Sequence, residues 1–490
     1  MTAMNVWTKG ALYLLLAAVH ASPSLRGAPE LSVNVLAGQD LNESNMSFSV
    51  NETNASSVAE VANVSANVSA NASDSETIPA ETESVENDMP PLAPLRAIAY
   101  GALPCVSPTA AEWAQEMQSC NHYGLPSEDM LQEGYSMQWG AEGRNDLGRM
   151  KALGANAVRL YHSLGLDSEG SHQGFLDRAR DLQLNVMPGY DSSESKACDD
   201  FDCFDGWKSA TLKGFAQGFA MDGQWHPAVS ALILLNEPDF FEHDPLCKGR
   251  GAFCRVRAVL SAFDGVLAAE EEAKVEPGRV KLTVTWSFAM RTSIDNVVQG
   301  PGTFGFQDMV AVVKDPSLVD YTPRTALDKI QSEFAKRWVH GLNTQAPWTF
   351  VSDFVSQHYR KYGFGDLPWF IGEYGANGQP EDVIISDLKS MDRQAEDNSL
   401  FLGAAFFQFQ TAYSKGGSEL NFGLYSLGNR KLGMTGEVCD RRSPCMSWPV
   451  FCLSIDLPWF EAQPQLGKRA KAVADAWGGE AFVESAEFCS

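Results

Sequence analysis

The chain has 490 residues, of which 44% are hydrophobic, so it is long enough to bury a full core and to hold more than one domain. It carries 62 acidic and 37 basic residues, which gives a formal net charge of −25. That balance opposes nucleic acid or anionic lipid as a partner and favours an uncharged or cationic ligand.

The N-terminus predicts an export signal. A lysine precedes an apolar run from Ala11 to Val19, and Val19 and Ala21 occupy the −3 and −1 positions of a cleavage site. The run is too short to cross a bilayer, so residues 1–21 are interpreted as a secretory signal peptide. No later segment approaches the ~18 apolar residues that a membrane span needs. The sequence therefore predicts a secreted protein, extracellular or in a cell wall, with no membrane span.

A low-complexity tract of Asn, Ser, Ala, Val and Glu follows at residues 42–73. It contains seven N-glycosylation sequons, at Asn42, Asn45, Asn51, Asn54, Asn63, Asn67 and Asn71. An acidic, proline-containing segment comes next. Such a sequence lacks the apolar surface needed to offset its ordering entropy. Residues 22–93 are therefore predicted to form a disordered linker, with N-glycans on its 42–73 stalk.

The ten cysteines all lie beyond the signal, and an even number in an exported chain predicts disulfides. Cys198 with Cys203, and Cys247 with Cys254, are close enough in sequence to staple loops. No C-x-x-C motif occurs and the eight histidines are scattered, so a zinc site has no support. No metal and no cofactor is predicted.

From about residue 94, short apolar runs alternate with amphipathic stretches. Most of the runs are continuous rather than alternating, which is typical of parallel strands buried on both faces. Helices are predicted at 253–274, 349–362 and 467–479, the last as the closing helix. The eight predicted strands are 97–101, 156–162, 184–190, 231–237, 280–286, 337–343, 369–375 and 402–409.

Eight strands with helices between them predict one (β/α)₈ TIM barrel over residues 94–490, with disulfide-stapled loops. A doubly wound sheet would show the same alternation. However, neither G-x-G-x-x-G nor G-x-x-x-x-G-K-[ST] follows the first strand, so nucleotide binding has no support.

Two carboxylates stand where the working residues of such a barrel belong, at the C-terminal ends of its strands. Glu237 closes the fourth strand and Glu373 the seventh, on opposite sides of the barrel mouth. Cleavage of a glycosidic bond with retention needs two carboxyl groups about 5–5.5 Å apart. One group protonates the leaving oxygen while the other attacks the anomeric carbon.

Other residues near strand ends are candidates for lining a sugar site. Arg159 is expected to keep Glu373 ionised, and Asn236 is expected to hydrogen-bond the sugar 2-hydroxyl. For any single aromatic residue, packing in the core is the simpler interpretation. The predicted substrate-binding residues are Arg159, Tyr161, Tyr190, Asn236, Trp286, His340, Asn343, Tyr374 and Gln408.

The motifs "LLNEP" and "PWFIGEYG" resemble the acid/base and nucleophile motifs of clan A retaining glycoside hydrolases. "IGEYGANG" is similar to the nucleophile segment of fungal β-1,3-glucanosyltransferases of family 72. "AIAYGALP", "NAVRLYH" and "AAFFQFQTAYSKGGSELNFGLYSLG" resemble segments of that family and of the family 17 β-1,3-glucanases. The resemblance implies that Glu237 is the proton donor and Glu373 the nucleophile, with Arg159 and Asn236 in support.

The sequence thus predicts an exported retaining glycoside hydrolase or transglycosylase whose substrate is a β-linked glucan, with β-1,3-glucan favoured. Pro238 directly after the acid/base is more typical of family 5 cellulases and mannanases, so β-1,4 cleavage is the alternative within the enzyme class. A third possibility is a wall protein that binds glycan without cutting it, against which both glutamates count.

Overall fold

The computed structural model describes residues 89–105, 127–165, 169–191, 198–243, 245–247, 249–362, 364, 366–376, 378–415, 417–441, 443–455, 468–481 and 487–489. The predicted signal peptide and the sequon-rich tract lie outside the described residues. Within the described part, no helix is both long enough and apolar enough to cross a membrane.

Eight parallel strands form the central sheet, and their order follows a barrel. Neighbours pair in the order β3-β2-β1-β8-β7-β6-β5-β4. Two isolated parallel bridges, Val186 with Val229 and Gly189 with Ile233, bring β3 against β4 and close the ring. The predicted (β/α)₈ barrel is confirmed. The strands are β1 (Leu95–Ala99), β2 (Ala157–Arg159), β3 (Asn185–Met187), β4 (Ala231–Asn236), β5 (Lys281–Ser287), β6 (Trp338–Thr344), β7 (Trp369–Tyr374) and β8 (Phe401–Phe406).

Each strand is followed by at least one α-helix that packs outside the barrel. The predicted helix at 349–362 is wrong in its second half, because the α-helix ends at Phe354 and a 3-10 segment, Ser356–Tyr362, continues the chain. A short α-helical turn, Ser136–Trp139, precedes the first of these helices. The longer helices in the described part of the chain are α1 (Asp146–Ala152), α2 (Gln173–Asp181), α3 (Phe204–Gly214), α4 (Ala252–Ala273), α5 (Thr303–Lys314), α6 (Leu327–Arg337), α7 (Trp348–Phe354), α8 (Glu381–Asp397) and α9 (Arg469–Trp477).

Several short β-strands follow β8 and lie outside the barrel sheet. An antiparallel sheet joins Ser426–Met434, Pro449–Ser454 and Glu487–Phe488, and Val438–Asp440 pairs with Ser443–Met446. The disulfide from Cys452 to Cys489 ties this sheet to the end of the chain.

The predicted local disulfides are confirmed. Cys198 is bonded to Cys203 and Cys247 to Cys254, each closing a loop beside the barrel mouth. A third short-range disulfide joins Cys439 and Cys445 in the extension that follows β8.

Two apolar layers hold the barrel, and strand alternation decides which layer a side chain enters. Aliphatic side chains such as Met187 and Ile233 fill most of the interior, together with the ring of Phe370. Most of the other large aromatics pack between the strands and the helices. Near the mouth the interior ends in a small cluster of Ala99, Phe407 and Phe422, against which Tyr161 packs.

Candidate active site

A bulge in β7 turns Glu373 into the barrel mouth. Leu342 on β6 pairs with Ile371, but the next residue, Asn343, pairs with Glu373, so Gly372 is the extra residue. A Cβ on Gly372 would lie 2.4 Å from Thr285 Cγ2 and 2.8 Å from Asn343 Oδ1. Only glycine leaves room there, because the neighbouring strands already fill that space with polar side chains.

A second irregularity places Glu237 at the end of β4. The β4–β5 pairing shifts between Ile233 and Asn236, and Asn236 then pairs with Thr285. Glu237 has φ +49, a left-handed conformation that costs roughly 1–3 kcal/mol for a residue with a side chain. Its N–H donates to the Thr285 carbonyl at 2.7 Å, which holds the conformation. Strained backbone of this kind concentrates at functional sites.

Glu373 is held by a cation and a phenol. Arg159 Nη1 lies 2.5 Å from Glu373 Oε1, and the Tyr161 hydroxyl donates to the same oxygen at 3.0 Å. The Arg159 side chain is fully buried, and its guanidinium also lies over the Tyr161 ring at 4.2 Å. Burial alone would lower the pKa of Arg159, but Tyr161 and Glu373 outweigh it and raise that pKa. The arrangement holds the Glu373 carboxylate in place with two donors to one oxygen, one of them a buried cation.

Asn236 links the two glutamates through its side-chain oxygen. This oxygen accepts from Arg159 Nη2 at 2.6 Å, from Thr285 Oγ1 at 2.8 Å and from Asn343 Nδ2 at 3.0 Å. Asn343 Nδ2 also donates to Glu237 Oε1 at 3.3 Å. A continuous set of hydrogen bonds therefore runs from one carboxylate to the other.

The environment of Glu237 favours the protonated acid. Burial, the negative charge of Glu373 and that of Asp239, in that order, raise the pKa of Glu237 from 4.5 to about 8. The Asn343 amide and the Arg159 cation oppose this shift without cancelling it. The site thus contains one carboxyl group that keeps its proton at neutral pH and another that is paired with a cation.

Asp239 is a part of the site that the sequence analysis did not identify. Its side chain is fully buried, and its carboxylate accepts from the Ser287 N–H at 3.0 Å and the Ser287 hydroxyl at 2.5 Å. Arg291 approaches the same carboxylate at 3.3 Å. Its position two residues after Glu237 was the feature of the sequence that could have identified it as a site residue. Thr285, whose hydroxyl donates to Asn236, could not be identified from the sequence of β5.

Four predicted lining residues lie in the layer between strands and helices and not beside the carboxylates. The hydroxyl groups of Tyr190 and of Thr211 on α3 are hydrogen-bonded at 2.7 Å, and the Tyr374 hydroxyl donates to Asp387 on α8 at 2.5 Å. Trp286 packs against Phe304 on α5 with its side chain fully buried.

His340 is the fourth of these residues. Its ring stacks on Phe306 at 4.4 Å, and burial lowers its pKa to about 3. A neutral, packed imidazole on the helix side of β6 suits the core. Strand alternation explains the placement, because Asn343 on the same strand faces the interior and His340 faces the opposite way.

Gln408 lies just beyond the end of β8. It is buried, and its Oε1 is 3.6 Å from the position of a Cβ on Gly101. Among the described residues its Nε2 has no hydrogen-bond partner. The neighbouring Gln410 instead belongs to a structural network, where it donates to Leu103 and accepts from Arg144.

No family model and no curated protein matches the sequence. Similar solved structures include complexes of a β-glucosidase from Thermotoga maritima with noeuromycin, azafagomine and galacto-hydroximolactam. Their identities to this chain are 13%, 12% and 13%, and their TM-scores are 0.44, 0.44 and 0.45. Each match covers 69% of this chain and 94% of the enzyme.

Proposed function

We propose that this chain is a retaining glycoside hydrolase or transglycosylase that cleaves β-linked glucan, with β-1,3-glucan as the favoured substrate. The observation that carries the proposal is the different surroundings of two carboxyl groups in one site, since Glu373 is paired with a buried cation and Glu237 accepts from the Asn343 amide. Glu237 has a pKa of about 8, whereas Glu373 is paired with the buried Arg159. Retaining cleavage needs such a division between an acid and a nucleophile.

In the first step, Glu373 attacks the anomeric carbon and Glu237 gives its proton to the departing sugar oxygen. Arg159 and Tyr161 orient the attacking carboxylate through Oε1. Asn236 already uses its oxygen for three protein donors, so its amide nitrogen is the group left to donate to the sugar 2-hydroxyl.

The second step follows from the charge coupling between the glutamates. Because the Glu373 charge raises the pKa of Glu237, forming the glycosyl ester removes that charge and lowers the pKa. Glu237 is then ready to take a proton from the acceptor. Water as acceptor gives hydrolysis, and a glucan hydroxyl gives transfer.

The test is product analysis with laminari-, cello- and manno-oligosaccharides, using the wild type and Glu373→Gln. We expect cleavage of the β-1,3 oligosaccharides, loss of that cleavage in the variant, and covalent labelling of Glu373 by a 2-fluoro glycoside. Preferential cleavage of cello- or manno-oligosaccharides would instead favour the β-1,4 alternative, for which Pro238 is the sequence argument. Undiminished turnover by Glu373→Gln would refute the nucleophile assignment.

A further inference from the structure

Large aromatic side chains lie in the three segments that follow β4, β5 and β6, the last of which includes helix α7. The side chains of Phe240, Phe350 and Phe354 are 43%, 42% and 43% exposed. Phe288, which directly follows β5, is partly buried. We call these four residues the aromatic ledge. A soluble protein rarely keeps a group of large apolar side chains in water unless the surface binds something.

Contacts between side chains connect the three segments. Phe288 and Phe350 meet edge to face at 6.0 Å, and the Phe350 and Phe354 rings are 4.4 Å apart. The Arg291 guanidinium lies over the Phe240 ring at 5.9 Å. The Phe240 N–H donates to the Glu237 carbonyl at 3.2 Å, so the ledge begins at the residue proposed as the acid.

The loop after β5, which carries Phe288 and Arg291, is held in place by its own hairpin and by hydrogen bonds to buried side chains. Residues Arg291–Thr292 pair with Val298–Gln299 as a small hairpin. The buried Arg255 donates to the Thr292 carbonyl at 2.7 Å and to Asp308 at 2.8 Å, and Asp308 accepts from the Ile294 N–H at 2.7 Å. The exposed apolar surface is therefore part of an anchored structure.

We propose, on the basis of the proposed function, that the aromatic ledge binds the sugar units on the leaving-group side of the scissile bond and the acceptor chain during transfer. The acid must reach the leaving oxygen, so the departing sugar lies on the side of Glu237 that faces away from Glu373. The C–H faces of β-linked pyranose rings pack on aromatic faces. The occupant is a neutral β-linked oligosaccharide, because the ledge cation Arg291 is already paired with Asp239.

The experiment compares two substrates that share a glycone but differ in the leaving group. A laminari-oligosaccharide places sugars on the ledge, whereas laminaribiosyl fluoride has no leaving sugar. The double variant Phe350→Ala/Phe354→Ala is expected to lower kcat/KM for the oligosaccharide about tenfold and to reduce transfer products, because it removes two of the rings on which the leaving sugars would pack. Turnover of the fluoride should stay at the wild-type value.

The matched control is Leu318→Ala, an apolar side chain 47% exposed in the Pro316–Val319 segment, which follows α5 and is not part of the ledge. It should leave both substrates unchanged, and Phe350→Trp should retain oligosaccharide turnover. An equal loss on both substrates, no loss on either, or an altered oligomeric state alone in sedimentation would overturn the ledge proposal. A wild type that cleaves neither substrate would refute the proposed function itself.

Discussion

Replacing Glu237 with Gln should stabilise the protein at neutral pH and should abolish the proposed acid function. In the folded state the carboxyl group keeps its proton up to a pKa of about 8, whereas in the unfolded chain the proton is lost near 4.5. Because the folded state holds the extra proton, the unfolding free energy falls as the pH rises through this interval. Gln has nearly the shape of the protonated acid but does not titrate.

The size of the effect follows from the two pKa values. At pH 7 the retained proton lowers the unfolding free energy by about 3 kcal/mol at most. Glu237 is only half-buried, and water relieves part of this cost, so we expect a gain of roughly 1–3 kcal/mol in Glu237→Gln. At pH 4 both side chains are neutral, and the gain should vanish.

The assay is urea unfolding followed by tryptophan fluorescence at pH values from 4 to 8.5. The wild-type protein serves as the reference at each pH, and the pH 4 comparison corrects for any change in packing. The difference between the two proteins should grow steadily above pH 4.5 and level off near pH 8. A difference that does not change with pH would refute the claim that the environment of Glu237 holds its proton.

Three further predictions concern activity. Asp239→Asn should move the alkaline limb of kcat/KM from near pH 8 to lower pH, because the Asp239 charge raises the pKa of Glu237; an unmoved limb would contradict this coupling. Tyr161→Phe should lower kcat/KM roughly tenfold by removing a hydrogen bond to the charged Glu373, and a normal rate would show that Arg159 alone orients it. Glu237→Ala should slow substrates with poor leaving groups far more than activated aryl glycosides, and equal losses would argue against an acid role.

The sequence alone indicated the barrel and both glutamates, because these depend on local patterns. Continuous apolar runs mark strands that are buried on both faces, and a carboxylate directly after such a run is conspicuous. The disulfides from Cys198 to Cys203 and from Cys247 to Cys254 were also accessible, since the chain between the partners is too short to separate them.

The sequence could not decide which side of a strand each terminal residue occupies. Bulges in β4 and β7 change the register by one residue, and such a change moves a side chain from the helix layer into the mouth. In β7 the result is that Glu373 faces the site, while the adjacent Tyr374 hydrogen-bonds to Asp387 on α8. The sequence pattern does not show where the bulge lies, so it does not decide which of the two residues faces the mouth.

Tertiary structure also determines the raised pKa of Glu237. The sequence placed Glu237 after an apolar strand, but its pKa depends on the buried Asp239 and on Glu373, which lies over a hundred residues away. Charge interactions act through space and weaken with distance, so they appear only when the barrel closes and brings these groups together. The sequence supplies the residue types, whereas the raised pKa of Glu237 depends on the neighbours that the fold brings to it.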